Sequence, residues 1–363
     1  MKKNIRHSVI VAGLLSAGVA SAQSQIIMYG IVDTGIAYTT NADARGDSVV
    51  KMPSLTGSFP SRLGFKGTED LGGGMQALFV LESGFTVDAG GTGQGGRLFG
   101  RQAYVGLKGD YGQLMLGRQV TMTYLATQKS DVLGPNLFSI SSLDSYLPNA
   151  RSDNAIGYLG TFSQFTLGAT YSFGRDNSSA GGPAATNCPG EVAGNAKACR
   201  QWTTLIGFDN AGYGVNASYD IMYGNSGAAS GLTSSDNSDR RTTINGYFMV
   251  GDVKIGMGII DRSTHAATAS TNSDLYYIGA SAPLSASWFI DAQVARLNIK
   301  NSANDTNMLV TRLTYYLSKR TALYTSLGYM KNSGIAAIAL DSGGTVGAGK
   351  NQAGIMSGIR HTF

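Results

Sequence analysis

The chain has 363 residues, with 50 Gly but 7 Pro, 14% charged residues and a formal net charge of +5. Glycine at about twice its usual ~7% without a G-X-Y period excludes collagen, and 42% hydrophobic residues exclude a wholly disordered chain. Low charge points to a membrane, yet a mean hydropathy near zero excludes a bundle of apolar helices. An alternating wall reconciles the two, because every second residue faces lipid and the others face water.

The N-terminal segment predicts export. Lys2, Lys3 and Arg6 precede an apolar run from Val9 to Val19, which ends in Ala20-Ser21-Ala22, a small-x-small cleavage pattern. Cleavage after Ala22 divides the chain into a signal peptide, 1–22, and a mature domain, 23–363. It also removes three basic residues, which lowers the formal charge from +5 to +2 and weakens any case for nucleic-acid binding. No later stretch of about 18 residues is apolar and uncharged, so no spanning helix is expected.

Strand signals then recur along the chain. The first three runs lie at 26–38, 61–67 and 76–85. In the third, Ala77, Phe79 and Leu81 share one face, with Gln76 and Glu82 on the other. Asp70-Leu-Gly-Gly-Gly74 reads as a tight turn for which glycine supplies positive φ. Further strands are predicted at 98–108, 112–119, 153–161, 164–174, 202–210 and 213–223. The remainder lie at 241–251, 253–264, 274–282, 286–299, 307–317, 321–331 and 353–363, giving about sixteen, an even number.

The connections alternate. Short turns fall at 70–74, 109–111, 162–163, 211–212, 252, 283–285 and 318–320. Long polar, Gly/Ser/Asn-rich segments fall at 39–60, 86–97, 120–152, 175–201, 224–240, 265–273, 300–306 and 332–352. Short turns on one side and long loops on the other are the asymmetry of an outer-membrane barrel, with strands of about 9–11 residues crossing the hydrocarbon. The predicted fold is all-β: a 16-stranded antiparallel transmembrane β-barrel with short periplasmic turns and long outer loops.

Five stretches carry a resemblance. They are Met28-Tyr-Gly-Ile-Val-Asp33, Ser61-Arg-Leu-Gly-Phe-Lys-Gly-Thr-Glu-Asp-Leu-Gly72, Gly100-Arg-Gln-Ala-Tyr-Val-Gly-Leu107, Arg151-Ser-Asp-Asn-Ala-Ile-Gly-Tyr158 and the terminal Gly358-Ile-Arg-His-Thr-Phe363. In this order they resemble the general diffusion porins of β-proteobacteria. The resemblance implies a homotrimer in outer-membrane lipid and lipopolysaccharide, passive diffusion of small hydrophilic solutes and ions, and a third outer loop folded into the lumen. It also implies wall bases at Arg62, Lys66, Arg101 and Arg151, with Glu82 as a nearby wall acid, and a terminal Phe363 that serves barrel assembly. Arg118 is a further candidate whose strand parity is unclear. Parity is also imperfect at Arg101, since facing it inward turns Ala103, Val105 and Leu107 the same way.

Loop 120–152 is too long for a simple connection. Its apolar segments Val132–Phe138 and Tyr146–Pro148 suit burial against a wall, and its acids are Asp131 and Asp144. The Pro-Glu-Phe-Gly-Gly-Asp motif of enteric porins is missing, and two acids against Lys129 make the loop only weakly acidic. With inward arginines, this predicts a mild preference for anions. A substrate-specific channel or a surface adhesin or receptor is the alternative role.

Cys188 and Cys199 are the two cysteines of an exported chain, so a disulfide across the fourth loop is expected. Such a bridge contributes about 2–3 kcal/mol in the chain-entropy view. A metal site is not expected, and no cofactor is implied. Gly91-Thr-Gly-Gln-Gly-Gly96 matches a dinucleotide fingerprint, but a strand follows where a helix is needed. G-x-x-x-x-G-K-[ST], H-E-x-x-H and C-x-x-C patterns are missing, and His265 is the sole plausible base for a hydrolase, so no enzyme activity is expected.

Overall fold

A computed structural model of the chain describes residues 25–54, 56–178 and 186–363. The predicted signal peptide lies outside the described residues. The strands, in chain order, are β1 (Gln25–Thr39), β2 (Val49–Lys51), β3 (Arg62–Gly72), β4 (Met75–Gly84), β5 (Gln102–Gly109), β6 (Gly112–Val120), β7 (Arg151–Phe162), β8 (Phe165–Ser172) and β9 (Gln201–Asp209). They continue as β10 (Tyr213–Tyr223), β11 (Ser238–Val250), β12 (Val253–His265), β13 (Ser270–Pro283), β14 (Trp288–Ile299), β15 (Thr306–Tyr316), β16 (Thr321–Asn332) and β17 (Gln352–Thr362). A short helix, α1 (Met122–Thr127), opens the third loop, with the Thr121 hydroxyl accepting from the Tyr124 N–H.

Each wall strand pairs antiparallel with its neighbours in sequence, and β1 closes the sheet. Residues 25–31 of β1 pair with β3, and residues 31–39 pair with β17. The three-residue β2 pairs with Ala37–Thr39 and covers the edge that this stagger leaves open. The result is a closed barrel of sixteen wall strands, with β2 as an addition from the first loop. Closure matters because hydrocarbon offers no partner for an unpaired backbone group.

The burial pattern is that of a soluble protein turned inside out. On β13, Tyr276 and Ile278 are exposed while Leu275 and Tyr277 are buried. On β11, Arg241 is 1% exposed and Ile244 is 61% exposed. The period-2 alternation therefore sends large apolar side chains outward along every long strand, a band that would drive aggregation in water and suits lipid. No helix among the described residues is long and apolar enough to cross a membrane; the strands make the crossing.

The predicted turns and loops are present, with shifted bounds, among them β3 running on to Gly72. The loop after β12 shrinks to 266–269, because cross-strand pairing carries β12 and β13 up to His265 and Ser270. The strand expected at 98–108 begins only at Gln102. Gly72, Gly73 and Gly74 all hold positive φ, at 81°, 61° and 78°, in the β3–β4 turn.

The third loop, between β6 and β7, folds into the lumen. Its Leu133, Leu137, Phe138, Ile140, Leu143 and Leu147 pack against Ile260, Leu275, Tyr277, Leu297, Met308, Val310, Met330 and Met356 of the inner wall. Burying such side chains contributes about 1.5–3 kcal/mol each relative to exposure. The backbone comes so close that a Cβ at Gly256 would sit 2.1 Å from the Ser130 carbonyl oxygen. Thus β12–β17 carry apolar residues on their lumen side where a polar lining is the rule, and the loop covers them.

Candidate functional site

Loop and wall leave between them a cavity of about 510 Å³. Arg62 of β3 and Phe59 of the first loop line one side, and Lys254 of β12 and Ser281 of β13 another. The loop contributes Tyr124, Gln128, Lys129, Asp131, Val132 and Pro135.

Phe59 is placed by Asp33 on the inner face of β1. The Asp33 carboxylate accepts from the backbone N–H groups of Ser58 and Phe59, from the Ser58 hydroxyl at 2.5 Å and from the Tyr324 hydroxyl at 2.7 Å. These bonds turn the first loop inward. The guanidinium of Arg360 lies 4.7 Å from the Phe59 ring centre and that of Arg312 at 5.8 Å.

The sequence-predicted wall residues separate into two groups. Arg101 is buried, with Nε 2.6 Å from Glu82 Oε1, and Glu82 also accepts from the Tyr29 hydroxyl at 2.9 Å. Arg118 bridges Asp153 and donates from Nε to the Gly100 carbonyl at 2.7 Å. Arg151 donates to the Arg101 and Pro148 carbonyls at 2.9 and 2.7 Å. Arg118 and Arg151 thereby satisfy the Gly100 and Arg101 carbonyls of the irregular stretch before β5, and all three guanidiniums are engaged. Arg62 differs: its side chain makes no hydrogen bond or ion pair among the described residues and lies half-buried on the cavity. Lys66, further along β3, is exposed with its ammonium 5.5 Å from the Tyr29 ring centre.

Both parity puzzles have physical answers. Arg101 precedes β5, so it escapes that strand's alternation and faces inward while Val105 and Leu107 face outward. At Arg118 the β6–β7 ladder shifts register between Gly117 and Gln119, a bulge that re-aims the side chain into the lumen.

The loop acids do not confront Arg62, Arg101 and Arg151 directly. Asp144 is gripped by Arg241, with Arg262 at 3.8 Å. Burial works against its ionisation, but the charges of Arg241 and Arg262 outweigh it and hold the carboxyl at about 2. Asp131 accepts from Gln293 Nε2 at 2.9 Å. Burial pushes its carboxyl above the usual aspartate range, despite that hydrogen bond and the nearby Arg312. Lys129 pairs with Asp209 at 2.8 Å.

Several participants escape sequence reasoning. Arg241, Arg262 and Asp239 form the ion-pair network under Asp144. Tyr146 lies beneath Arg241, whose guanidinium is 4.2 Å from its ring centre, and its hydroxyl meets Asp220 and accepts from Gln201 at 2.8 Å. Inward parity on β11, shared by Asp239, Arg241, Thr243 and Asn245, is the signal that marks Arg241. Lys254 has the same inward parity as Gly256 and Ile260, and it too makes no ion pair among the described residues. Phe59 sits in a loop with no periodic signal.

Away from the cavity, Cys188 and Cys199 form the expected disulfide. Part of the same loop, 179–185, lies outside the described residues. Phe363 exchanges backbone hydrogen bonds with Gly30 at 3.0 and 3.1 Å, and its ring covers that glycine. The C-terminus is thereby fastened to β1, where the barrel closes.

Comparison with known proteins agrees with this architecture. The sequence profile described as Gram-negative porin matches residues 8–335. Outer membrane porin protein 32 of Delftia acidovorans is 30% identical over the full length of both chains. An outer membrane porin protein of Bordetella pertussis is 32% identical over 92% of this chain and 95% of its own. Among solved structures, the anion-selective porin from Comamonas acidovorans superposes with a TM-score of 0.79 at 26% identity, covering 94% of this chain and all of that one.

Proposed function

The chain belongs to the Gram-negative porin family, an outer-membrane channel for passive diffusion, and we propose that its pore prefers anions through Arg62 and Lys254. The observation that carries this is the division of charge. Arg101, Arg118 and Arg151 are held by Glu82, Asp153 and backbone carbonyls, and Asp144 by Arg241, so these groups build the wall and fasten the loop. Arg62 and Lys254 line the cavity without an ion pair or side-chain hydrogen bond among the described residues; Glu82 acts on Arg62, and Asp209 and Asp131 on Lys254, only from beyond ion-pair distance, and Asp131 is the one carboxylate in the cavity lining.

The mechanism follows from electrostatics at close quarters. An ion entering the narrowing loses part of its hydration, and fixed charges of opposite sign offset that cost. Two cations without ion-pair partners lower the barrier for chloride or a carboxylate and raise it for potassium. Loop 3 stays put as solutes pass, because its apolar face is buried and its Lys129 and Asp144 are tied to the wall by ion pairs. Diffusion down a gradient needs no catalysis, and the reading assigns none. His265 Nδ1 lies 3.1 Å from Ser270 Oγ at an exposed loop, and replacing His265 with Ala is expected to leave conductance unchanged.

The same reading makes residues 1–22 an export signal and sets three copies in outer-membrane lipid and lipopolysaccharide. The apolar outer wall suits both lipid and a partner copy. Purified protein in a planar bilayer under a potassium chloride gradient tests the charge assignment. A zero-current potential of the sign set by chloride supports it, and one set by potassium contradicts it.

A further inference from the structure

A constriction that sorts solutes by charge and size alone would be lined by polar groups throughout. This one mixes charged and polar side chains with apolar surface. Phe59, Tyr124, Val132 and Pro135 present half-buried surface to the same cavity that Arg62 and Lys254 line. Cavities of about 300–1,000 Å³ with mostly apolar walls and a few placed polar groups are the usual form of small-molecule sites, and this one has about 510 Å³.

We infer that the constriction is matched to small organic anions with an apolar or aromatic body, of the arylcarboxylate class, rather than to hydrophilic anions of equal charge. This rests on the anion-preferring reading and sharpens it.

Hydration and placement select such a solute. A carboxylate needs a cation to offset its lost water, and Arg62 and Lys254 provide two that no ion pair occupies. An aryl or alkyl body loses nothing by leaving water for a wall of Phe59, Val132 and Pro135, since burying apolar surface is favourable. Phe59 is fixed for this role. Its backbone N–H is held by Asp33 at 2.8 Å, and its ring is flanked by the guanidiniums of Arg360 and Arg312. The contact area is small enough that capture stays weak, which conduction requires because the solute must also leave.

Benzoate and acetate serve as the probes, since they share a carboxylate and differ in the body. The full-length protein is placed in planar bilayers with potassium chloride on one side and the potassium salt of each anion on the other. Benzoate is the bulkier ion, so free diffusion ranks it below acetate. The inference predicts a benzoate-to-acetate permeability ratio of one or above in the wild type. Phe59→Ala and the nearly isosteric Val132→Thr should each lower the ratio by about twofold or more, the scale of losing part of one apolar contact. A wild-type ratio below one, or a ratio that neither variant moves, overturns the inference. The potassium chloride potential on the same membranes reports separately: chloride preference with a low ratio removes only the arylcarboxylate assignment, whereas potassium preference removes the charge reading beneath it.

Discussion

The guanidinium of Arg241 holds both carboxylate oxygens of Asp144, Nε to Oδ2 at 2.7 Å and a terminal nitrogen to Oδ1 at 3.0 Å, across 97 residues of sequence. Through this bidentate grip β11 fastens the third loop inside the barrel. Removing one member of a buried pair leaves an uncompensated charge and costs about 3–5 kcal/mol. Asp144→Asn and Arg241→Leu are therefore expected to raise current noise and loosen the loop, seen as protease cleavage within 121–150 that the wild type resists.

The same pair sets an acid limit. With its carboxyl held at about 2 against an ordinary 3.8, Asp144 gives stability that is fully present above the ordinary value and lost as pH falls toward about 2. Single-channel traces are expected to keep their loop-dependent conductance from neutrality to about pH 4 and to become noisy below it. Noise that appears well above pH 4 would remove Asp144 from this role.

Asp131 predicts a pH effect of a different kind. Burial lifts its carboxyl, so acidification neutralises it earlier than a free aspartate. Its negative charge on the cavity then disappears, and chloride preference rises on acidification. Asp131→Asn should show the raised preference at neutral pH and no further rise on acidification, as read from zero-current potentials.

Much of the barrel was legible because lipid imposes a period of two on every strand. The runs at 76–85 and 213–223 meet β4 and β10 within a residue or two for that reason. Arg62 was legible from the Ser61–Gly72 stretch. Arg101 and Arg118 resisted parity because one lies before its strand and the other on a bulge, features that backbone hydrogen bonding decides and composition does not. The partition of charge was hidden altogether. Whether an arginine serves the wall or the pore depends on partners such as Asp153 for Arg118, which the chain brings together only on closing.

The disulfide closes the loop between β8 and β9 outside the cavity that Arg62 lines, and Asp176 near its start pairs with Arg97 of the second loop. Cys188→Ser with Cys199→Ser should lower stability by about 2–3 kcal/mol and leave chloride selectivity as it was. Thermal unfolding and zero-current potentials on one preparation check both halves.

The division between structural and pore-facing arginines has its own test. Arg101→Leu leaves Glu82 buried and unpaired and should reduce the yield of heat-stable barrel. Arg62→Gln should fold like the wild type, since no hydrogen bond of Arg62 is lost. Refolding yields on electrophoresis without boiling separate the two.

The central claim is that unpaired charge on the cavity, Arg62 foremost, sets anion preference. The zero-current potential of Arg62→Glu under a potassium chloride gradient tests it most directly. Reversing this charge is expected to change the barrier by about 1 kcal/mol, which moves the chloride-to-potassium permeability ratio about fivefold toward potassium. A potential that stays at the wild-type value contradicts the account and takes Arg62 out of the constriction.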